Sequence, residues 1–312
     1  MKFVKIRVKK MKTRIVYSDR YYVDIGSHVF PTIKYRLIKS KLLKDLGIVN
    51  RIAFIEPEKA EGSDLLRVHT ADYLDKLKFG RLSLEETLTL ELSYSEELFE
   101  SALLCCGGTI RAAEIALEDG LGIHLGGGFH HAFPDHGEGF CVLNDIAVAV
   151  RKAIDDKKIR KALVIDCDLH QGNGTAYIFQ NEKRVFTFSI HQENNYPFHK
   201  PKSNMDIGLA DRTRDRDYLA QLEKNIPRII SDFKPDFIMY VAGADPYEHD
   251  QIGNLALTIN GLEKRDSFVY SQAKNYQVPI ALVLAGGYAF NQEDTVTIQY
   301  NTVKEAVKMF NA

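Results

Sequence analysis

The chain carries no excess charge of either sign. Its 41 lysines and arginines stand against 42 aspartates and glutamates in 312 residues, so it has no chain-wide electrostatic footprint for nucleic acid. No apolar run approaches the roughly 18 residues that a membrane span requires, and the first residues lack the apolar core of a secretory signal. The four cysteines, Cys105, Cys106, Cys141 and Cys167, form neither the C-x-x-C pairs of a structural zinc site nor a disulfide framework, which points to a reducing cytoplasm. Repeats, low-complexity tracts and linker-like stretches are missing too. One large, soluble, intracellular domain is therefore expected, with 45% hydrophobic residues to fill its core.

What is present is an alternation of strand and helix patterns. Residues 1–12 alternate basic and apolar side chains ahead of a second methionine, Met11, and read as a terminal extension or a start upstream of the native one, leaving 13–312 as the domain. Strands are expected at Arg14–Tyr17, Arg51–Ile55, Leu121–Leu125, Ala162–Ile165, Val185–Ile190, Phe237–Val241 and Ile280–Leu284. Helices are expected at Pro31–Leu46, Thr70–Lys78 with Thr70 as cap, Ser95–Glu118, Asn144 to about Asp156, Asp217–Phe233 interrupted by Pro227, Leu262–Tyr276 and Val296–Phe310, with a short one from Thr175. Gly107 and Gly108 inside the long helix suggest a close approach there. His191–Gly208 reads as a long polar and aromatic loop. Such an order means an α/β fold on a mostly parallel, doubly wound sheet.

The chemistry concentrates around Lys161–Gly174, KALVIDCDLHQGNG. An apolar strand runs into Asp166, Asp168 and His170 at every second position, which period two places on one face. Two converging carboxylates and an imidazole at a buried strand end call for a cation. Other apolar strands end in His130-His131, in Asp245 and in Gly287-Tyr288, and ligands of such sheets bind beyond the carboxyl ends of the strands. Asp168, His170 and Asp245 would supply three ligands and leave one position open, as in catalytic zinc sites, with iron or manganese also suited to two carboxylates. Asp166 and Asn173 are available to orient the two histidines, and the Tyr288 hydroxyl could donate to an oxyanion. Read singly, these residues would be turn and cap residues. An Asp-x-Asp after an apolar strand also opens phosphoryl-transfer enzymes, but that reading leaves His170 and the histidine pair without a task.

The motifs GGGFHHA (126–132), GFCVLND (139–145), DCDLHQGNG (166–174), GAD (243–245) and LAGGY (284–288) resemble, in order and along nearly the whole chain after Met11, the zinc-dependent histone deacetylase family. Gln171 and Asn173, HVFP from His28 to Pro31 and VHTADYL from Val68 to Leu74 look most like class IV members and their bacterial relatives. The resemblance implies an arginase-like fold with an eight-stranded parallel sheet and zinc on Asp168, His170 and Asp245. It makes His131 the general base and then acid, His130 an electrostatic helper paired with Asp166, and Tyr288 the carbonyl-polarising donor. Gly139, Phe140 and Tyr196 match positions lining an acyl-lysine tunnel, with His28 also on the substrate side. Potassium would lie on Asp166, Asp168, His170, Ser189 and the Ile190 carbonyl. Asn173 stands where better-known members carry aspartate, and Gln171 where they carry histidine, so pH profile and rate should differ. The implied activity is removal of acetyl or longer acyl groups from lysine. A deacylase of small acylated amines such as acetylpolyamines, and a non-catalytic acyl-lysine reader, are the alternatives; neither nucleic acid nor membrane is an expected partner.

Overall fold

Eight short apolar stretches line up side by side in one sheet, every paired neighbour parallel. The computed structural model describes residues 12–311, so the expectation for the amino-terminal stretch falls almost wholly outside the described residues. The first third of the chain holds β1 (Thr13–Val16), α1 (Lys34–Lys44), β2 (Ile52–Ile55), α2 (Gly62–Leu65), α3 (Ala71–Lys78), α4 (Leu84–Leu90) and α5 (Glu96–Asp119). Then come β3 (Leu121–His124), α6 (Asp145–Asp155), β4 (Ala162–Asp166), α7 (Asn173–Phe179), β5 (Val185–Gln192) and β6 (Met205–Leu209). The chain closes with α8 (Asp215–Phe233), β7 (Phe237–Val241), α9 (Ile259–Asn275), β8 (Ile280–Val283) and α10 (Gln292–Phe310). The order across the sheet is β2-β1-β3-β8-β7-β4-β5-β6.

Alternation along the strands feeds two cores. In β4, Leu163 and Ile165 belong to one apolar cluster, which also takes Ile38 of α1, Leu222 of α8, Val269 of α9 and Val303 of α10. Ala162 and Val164 belong to the other, with Ile115 of α5 and Ile146 of α6. Helices thus cover both faces, as a parallel sheet requires. Capping follows the sequence: Thr70, Ser95 and Asn144 accept the backbone N–H of Tyr73, Leu98 and Ala147. A Cβ at Gly107 would sit 1.8 Å from the Glu58 carbonyl oxygen, which accounts for glycine in the middle of α5.

Four expectations need correction. The supposed loop His191–Gly208 contains an edge strand, β6, and β5 runs on to Gln192; an edge strand exposed at every second residue lacks the apolar run by which central strands announce themselves. Pro227 does not interrupt α8. Leu222, Ile226, Ile229 and Ile230 are buried, at about 1.5 to 3 kcal/mol each and so at least about 6 kcal/mol together, which exceeds the roughly 3 kcal/mol that an interior proline costs. β4 stops at Asp166, and Asn173 is already the first residue of α7, so only the first of the three period-two residues lies in the strand. Finally, α4 stands where no helix was expected, although Ser83 and Glu86 form a full capping box that S-x-x-E announces.

Candidate active site

The strands that end in the chemically distinctive loops are β3, β8, β7 and β4, and these are four consecutive strands at the centre of the sheet. Because all run parallel, their carboxyl ends deliver His130-His131, Gly286 to Tyr288, Asp245 and Asp166 to His170 to one edge.

There Asp168, His170 and Asp245 offer donor atoms that all lie within 4.8 Å of one another. His170 Nδ1 is 3.2 Å from Asp168 Oδ1 and 3.4 Å from Asp245 Oδ2. Backbone donors hold the carboxylates from behind: Leu169 N–H donates to Asp245 Oδ1 at 3.0 Å and Gly286 N–H to Asp168 Oδ2 at 2.9 Å. Asp245 is fully buried, yet its Oδ2 has no hydrogen-bond partner. Burial and the neighbouring charge of Asp168 push its carboxyl up to about 6. A Cβ at Gly286 would lie 2.1 Å from Asp245 Oδ2, and one at Gly243 2.5 Å from Asp168 Oδ2, so the glycines leave room that side chains would fill. An orphaned carboxylate oxygen, an imidazole nitrogen and a second carboxylate facing one another fit a divalent cation.

The histidine pair stands beside this triad. His130 Nδ1 lies 2.7 Å from Asp166 Oδ2, His131 Nδ1 lies 2.7 Å from Asn173 Oδ1, and the two Nε2 atoms are 3.0 Å apart. Burial alone would lower both. Asp166 and Asp168 outweigh it at His130 and raise it to about 9, whereas His131, with His130 and His170 as cationic neighbours, falls well below the ordinary histidine value. At neutral pH His130 is therefore charged and His131 neutral. The loop carrying the pair is tied down by Asp145, whose carboxylate accepts from Gly128 N–H at 3.0 Å and Phe129 N–H at 2.8 Å.

Tyr288 enters the same cleft from the β8 side. Its backbone N–H donates to Asp250 Oδ2 at 2.7 Å, and Gln299 Nε2 holds the Leu284 and Gly286 carbonyls at 2.9 and 3.0 Å. Arg265, fully buried, donates Nη1–H to the Gly243 carbonyl at 2.6 Å and the Cys167 carbonyl at 3.2 Å, bracing the loops that follow β7 and β4. Lys34 is buried behind Tyr288 and donates to the Ala285 carbonyl at 2.7 Å; burial lowers its ammonium to about 8.

The histone deacetylase domain matches residues 28–302. Histone deacetylase 2 of Arabidopsis thaliana is 30% identical over 89% of this chain and 75% of its own length. The chain belongs to the histone deacetylase family. An uncharacterized protein of Picosynechococcus is 39% identical over 90% of this chain and 94% of its own, and the acetoin utilization protein AcuC of Staphylococcus aureus 29% identical over 88% and 77%. The crystal structure of the HDA15 HD domain superposes with a TM-score of 0.78 over 97% of this chain and 88% of that one, at 22% identity, and shares the fold.

In this histone deacetylase-family hydrolase the residues expected on the substrate side fall into two groups. Gly139, Phe140 and Tyr196 line the mouth together with Glu91, Ile252 and Tyr288. Phe140 has φ 67°, a left-handed backbone that costs a non-glycine residue on the order of 1–3 kcal/mol, and it is held there by its N–H donating to the Leu90 carbonyl at the end of α4. Tyr196 packs edge-on against His131, centroids 5.1 Å apart. His28 does not line the mouth. Its Nδ1 accepts from Phe30 N–H and its Nε2–H donates to the Glu91 carbonyl, while its ring stands edge-on to Phe140 at 4.7 Å, so it supports Phe140 from outside. Ser189 sits opposite Asp166 in the β4–β5 register and bonds His191 Nδ1 at 2.9 Å.

Glu138, Asp145, Asp250, Lys34 and Arg265 were not found from the sequence. Asp145 closes the GFCVLND motif, which was a usable signal. The others had none: an isolated charge in a polar loop or on an amphipathic helix reads as solvated.

Proposed function

We propose that this chain is a zinc-dependent hydrolase of Nε-acyl-lysine amides, with residues 13–312 as one catalytic domain. The observation that carries this reading is the meeting of the Asp168, His170 and Asp245 triad with the His130-His131 pair and Tyr288 in one buried cleft. A divalent ion held by Asp168, His170 and Asp245 would supply Lewis-acid chemistry, acidifying water and polarising a carbonyl. Zinc is the favoured ion, and ferrous iron or manganese suits the same donor set.

The chain's own residues do the rest. His131, neutral because it is buried and stands beside the charged His130, accepts the proton of the attacking water at Nε2. His130, kept charged by Asp166, favours negative charge developing next to it. Burial keeps the Tyr288 phenol protonated far above neutral pH, so it can donate to the oxyanion. His131 then returns its proton to the departing lysine amine. Potassium on Asp166, Asp168, His170, Ser189 and the Ile190 carbonyl belongs to the same reading, supported by the register that pairs Asp166 with Ser189.

Acyl chains longer than acetyl are the favoured substrates, because an apolar cavity adjoins the cleft, small in this structure at about 30 Å³ and lined by Tyr21, Leu98 and Val142 among others. It shares Phe30, Tyr35, Phe129 and Phe140 with the cleft at the triad. That is in keeping with the class IV resemblance. A small acylated amine is the second reading, favoured by the Glu91 carboxylate at the mouth, which suits a cationic substrate. The four cysteines are free and among the described residues no helix is long and apolar enough to cross a membrane, which supports a cytoplasmic setting. The deciding experiment incubates zinc-loaded protein with lysine peptides bearing acyl chains of increasing length and, in parallel, with acetylated polyamines. Turnover that rises with chain length on peptides is expected. His131→Ala should abolish it while zinc stays bound, and Tyr288→Phe should slow it strongly; turnover of neither substrate class would refute the reading.

A further inference from the structure

Asn173 faces His131 where a carboxylate would fix the imidazole unaided. An amide cannot do that by itself, because it presents an acceptor on one side and a donor on the other and can turn over by 180°. One orientation offers Oδ1 to His131 and so requires Nδ1–H. The other offers Nδ2–H, which would draw the proton off Nδ1 and put it on Nε2, where it blocks the basic position.

The choice is made by a residue outside the family motifs. Glu138 Oε1 lies 2.6 Å from Asn173 Nδ2 and 2.8 Å from the Tyr196 hydroxyl, and its Oε2 is 3.4 Å from His136 Nε2. Bonds from His136, Tyr196 and Asn173 outweigh partial burial and keep the Glu138 carboxyl ionised. An ionised carboxylate only accepts, so at this distance the Asn173 amide must turn its NH₂ toward Glu138. Its oxygen then faces His131 Nδ1, which stands 2.7 Å away.

We infer that Glu138 is a positioning residue that sets the Asn173 amide and through it holds His131 in the Nδ1–H form, with Nε2 free to take a proton. The inference rests on the acyl-lysine hydrolase reading for its kinetic consequence but not for its structural one. A glutamine in place of Glu138 could donate to Asn173 as well as accept from it, so the Asn173 amide would lose its preferred direction.

Two measurements test this. In Glu138→Gln, kcat on an acyl-lysine peptide should fall roughly 10- to 100-fold, the range for removing an outer partner of a site residue, with KM changing less than threefold. Combining Glu138→Gln with Asn173→Asp should recover at least tenfold of that loss, since a carboxylate in place of the Asn173 amide accepts from His131 and from the introduced glutamine whichever way it turns. Tyr196→Phe separates the other contact: it should raise KM, and a loss in Glu138→Gln that matched it in pattern would overturn the inference. So would an unchanged kcat in Glu138→Gln, or a double variant as slow as the single one with an equal melting temperature. The second measurement needs no substrate. Nitrogen-15 shifts of His131 in the zinc-loaded protein should show Nδ1–H in the wild type and a mixture of both tautomers in Glu138→Gln. An identical Nδ1–H signature in both overturns the inference even if no acyl-lysine substrate is ever turned over, whereas failure of turnover alone strikes only the hydrolase reading.

Discussion

Gly286→Ala is the sharpest perturbation of the proposed metal centre, because it adds one methyl group at the point where two ligand carboxylates meet. Gly286 has no positive φ, so alanine does not strain the backbone, and its N–H can still donate to Asp168 Oδ2. The new Cβ would stand 2.1 Å from Asp245 Oδ2 and 2.7 Å from Asp168 Oδ2. Ordinary carbon–oxygen contact is roughly 3.2 Å or more, so Asp245 Oδ2 would have to retreat by about 1 Å. Ligand distances tolerate about 0.2 Å. The carboxylate has no slack to absorb this, since Asp245 is fully buried and its other oxygen is bonded to Leu169 N–H. One of three protein ligands is displaced. Losing a mere outer partner weakens a metal site roughly 10- to 100-fold, so at least about 100-fold is expected, or about 2.7 kcal/mol. Zinc affinity by competition with a chelator measures this, with Gly62→Ala, where a Cβ meets nothing within 4 Å, as the matched control. Zinc bound by Gly286→Ala within tenfold of the wild type, at an unchanged melting temperature, would refute the assignment of Asp245 as a ligand.

Asp145→Ala removes the acceptor for Gly128 N–H, Phe129 N–H and the Thr109 hydroxyl; at about 1–3 kcal/mol for each group left unpaired, a loss of several kcal/mol should appear as a lower urea midpoint, and an unchanged midpoint would show that the loop before the histidine pair is held otherwise. Arg265→Met strands the buried carboxylate of Asp266 and should cost about 3–5 kcal/mol, and adding Asp266→Asn should recover part of it in the same assay. His69 is buried, with Nδ1 bonded to the Phe133 carbonyl and Nε2 accepting from Asn144 N–H, and burial lowers it to about 4. Its folded value lies below the unfolded value of about 6.5, so the neutral ring's contribution is complete above that pH and is lost as pH falls toward about 4, amounting to about 3 kcal/mol. The stability gap between wild type and His69→Gln should therefore narrow by that amount across the window, and a constant gap would contradict the assignment.

Much of the site was legible because buried chemistry leaves a pattern. Asp168, His170 and Asp245 follow apolar runs too regular to be loops, and His130-His131 and Tyr288 follow glycines at comparable strand ends. Tertiary context was needed wherever the signal was carried by one face or one atom. β6 shows only half its residues to the core, α8 continues through Pro227 because its burial outweighs the missing hydrogen bond, and Glu138 acts through a single oxygen that no periodicity marks.

The sequence by itself determined seven of the eight strands and most of the helices, that the sheet is parallel, and which loops carry the metal-binding and histidine motifs, because burial and period are local properties of the chain. Only the tertiary structure decided that strands third, eighth, seventh and fourth in the chain lie side by side. That order sets which nitrogen of each histidine faces which oxygen, since contacts between residues far apart in the chain depend on sheet order and packing, and neither is written in any local stretch.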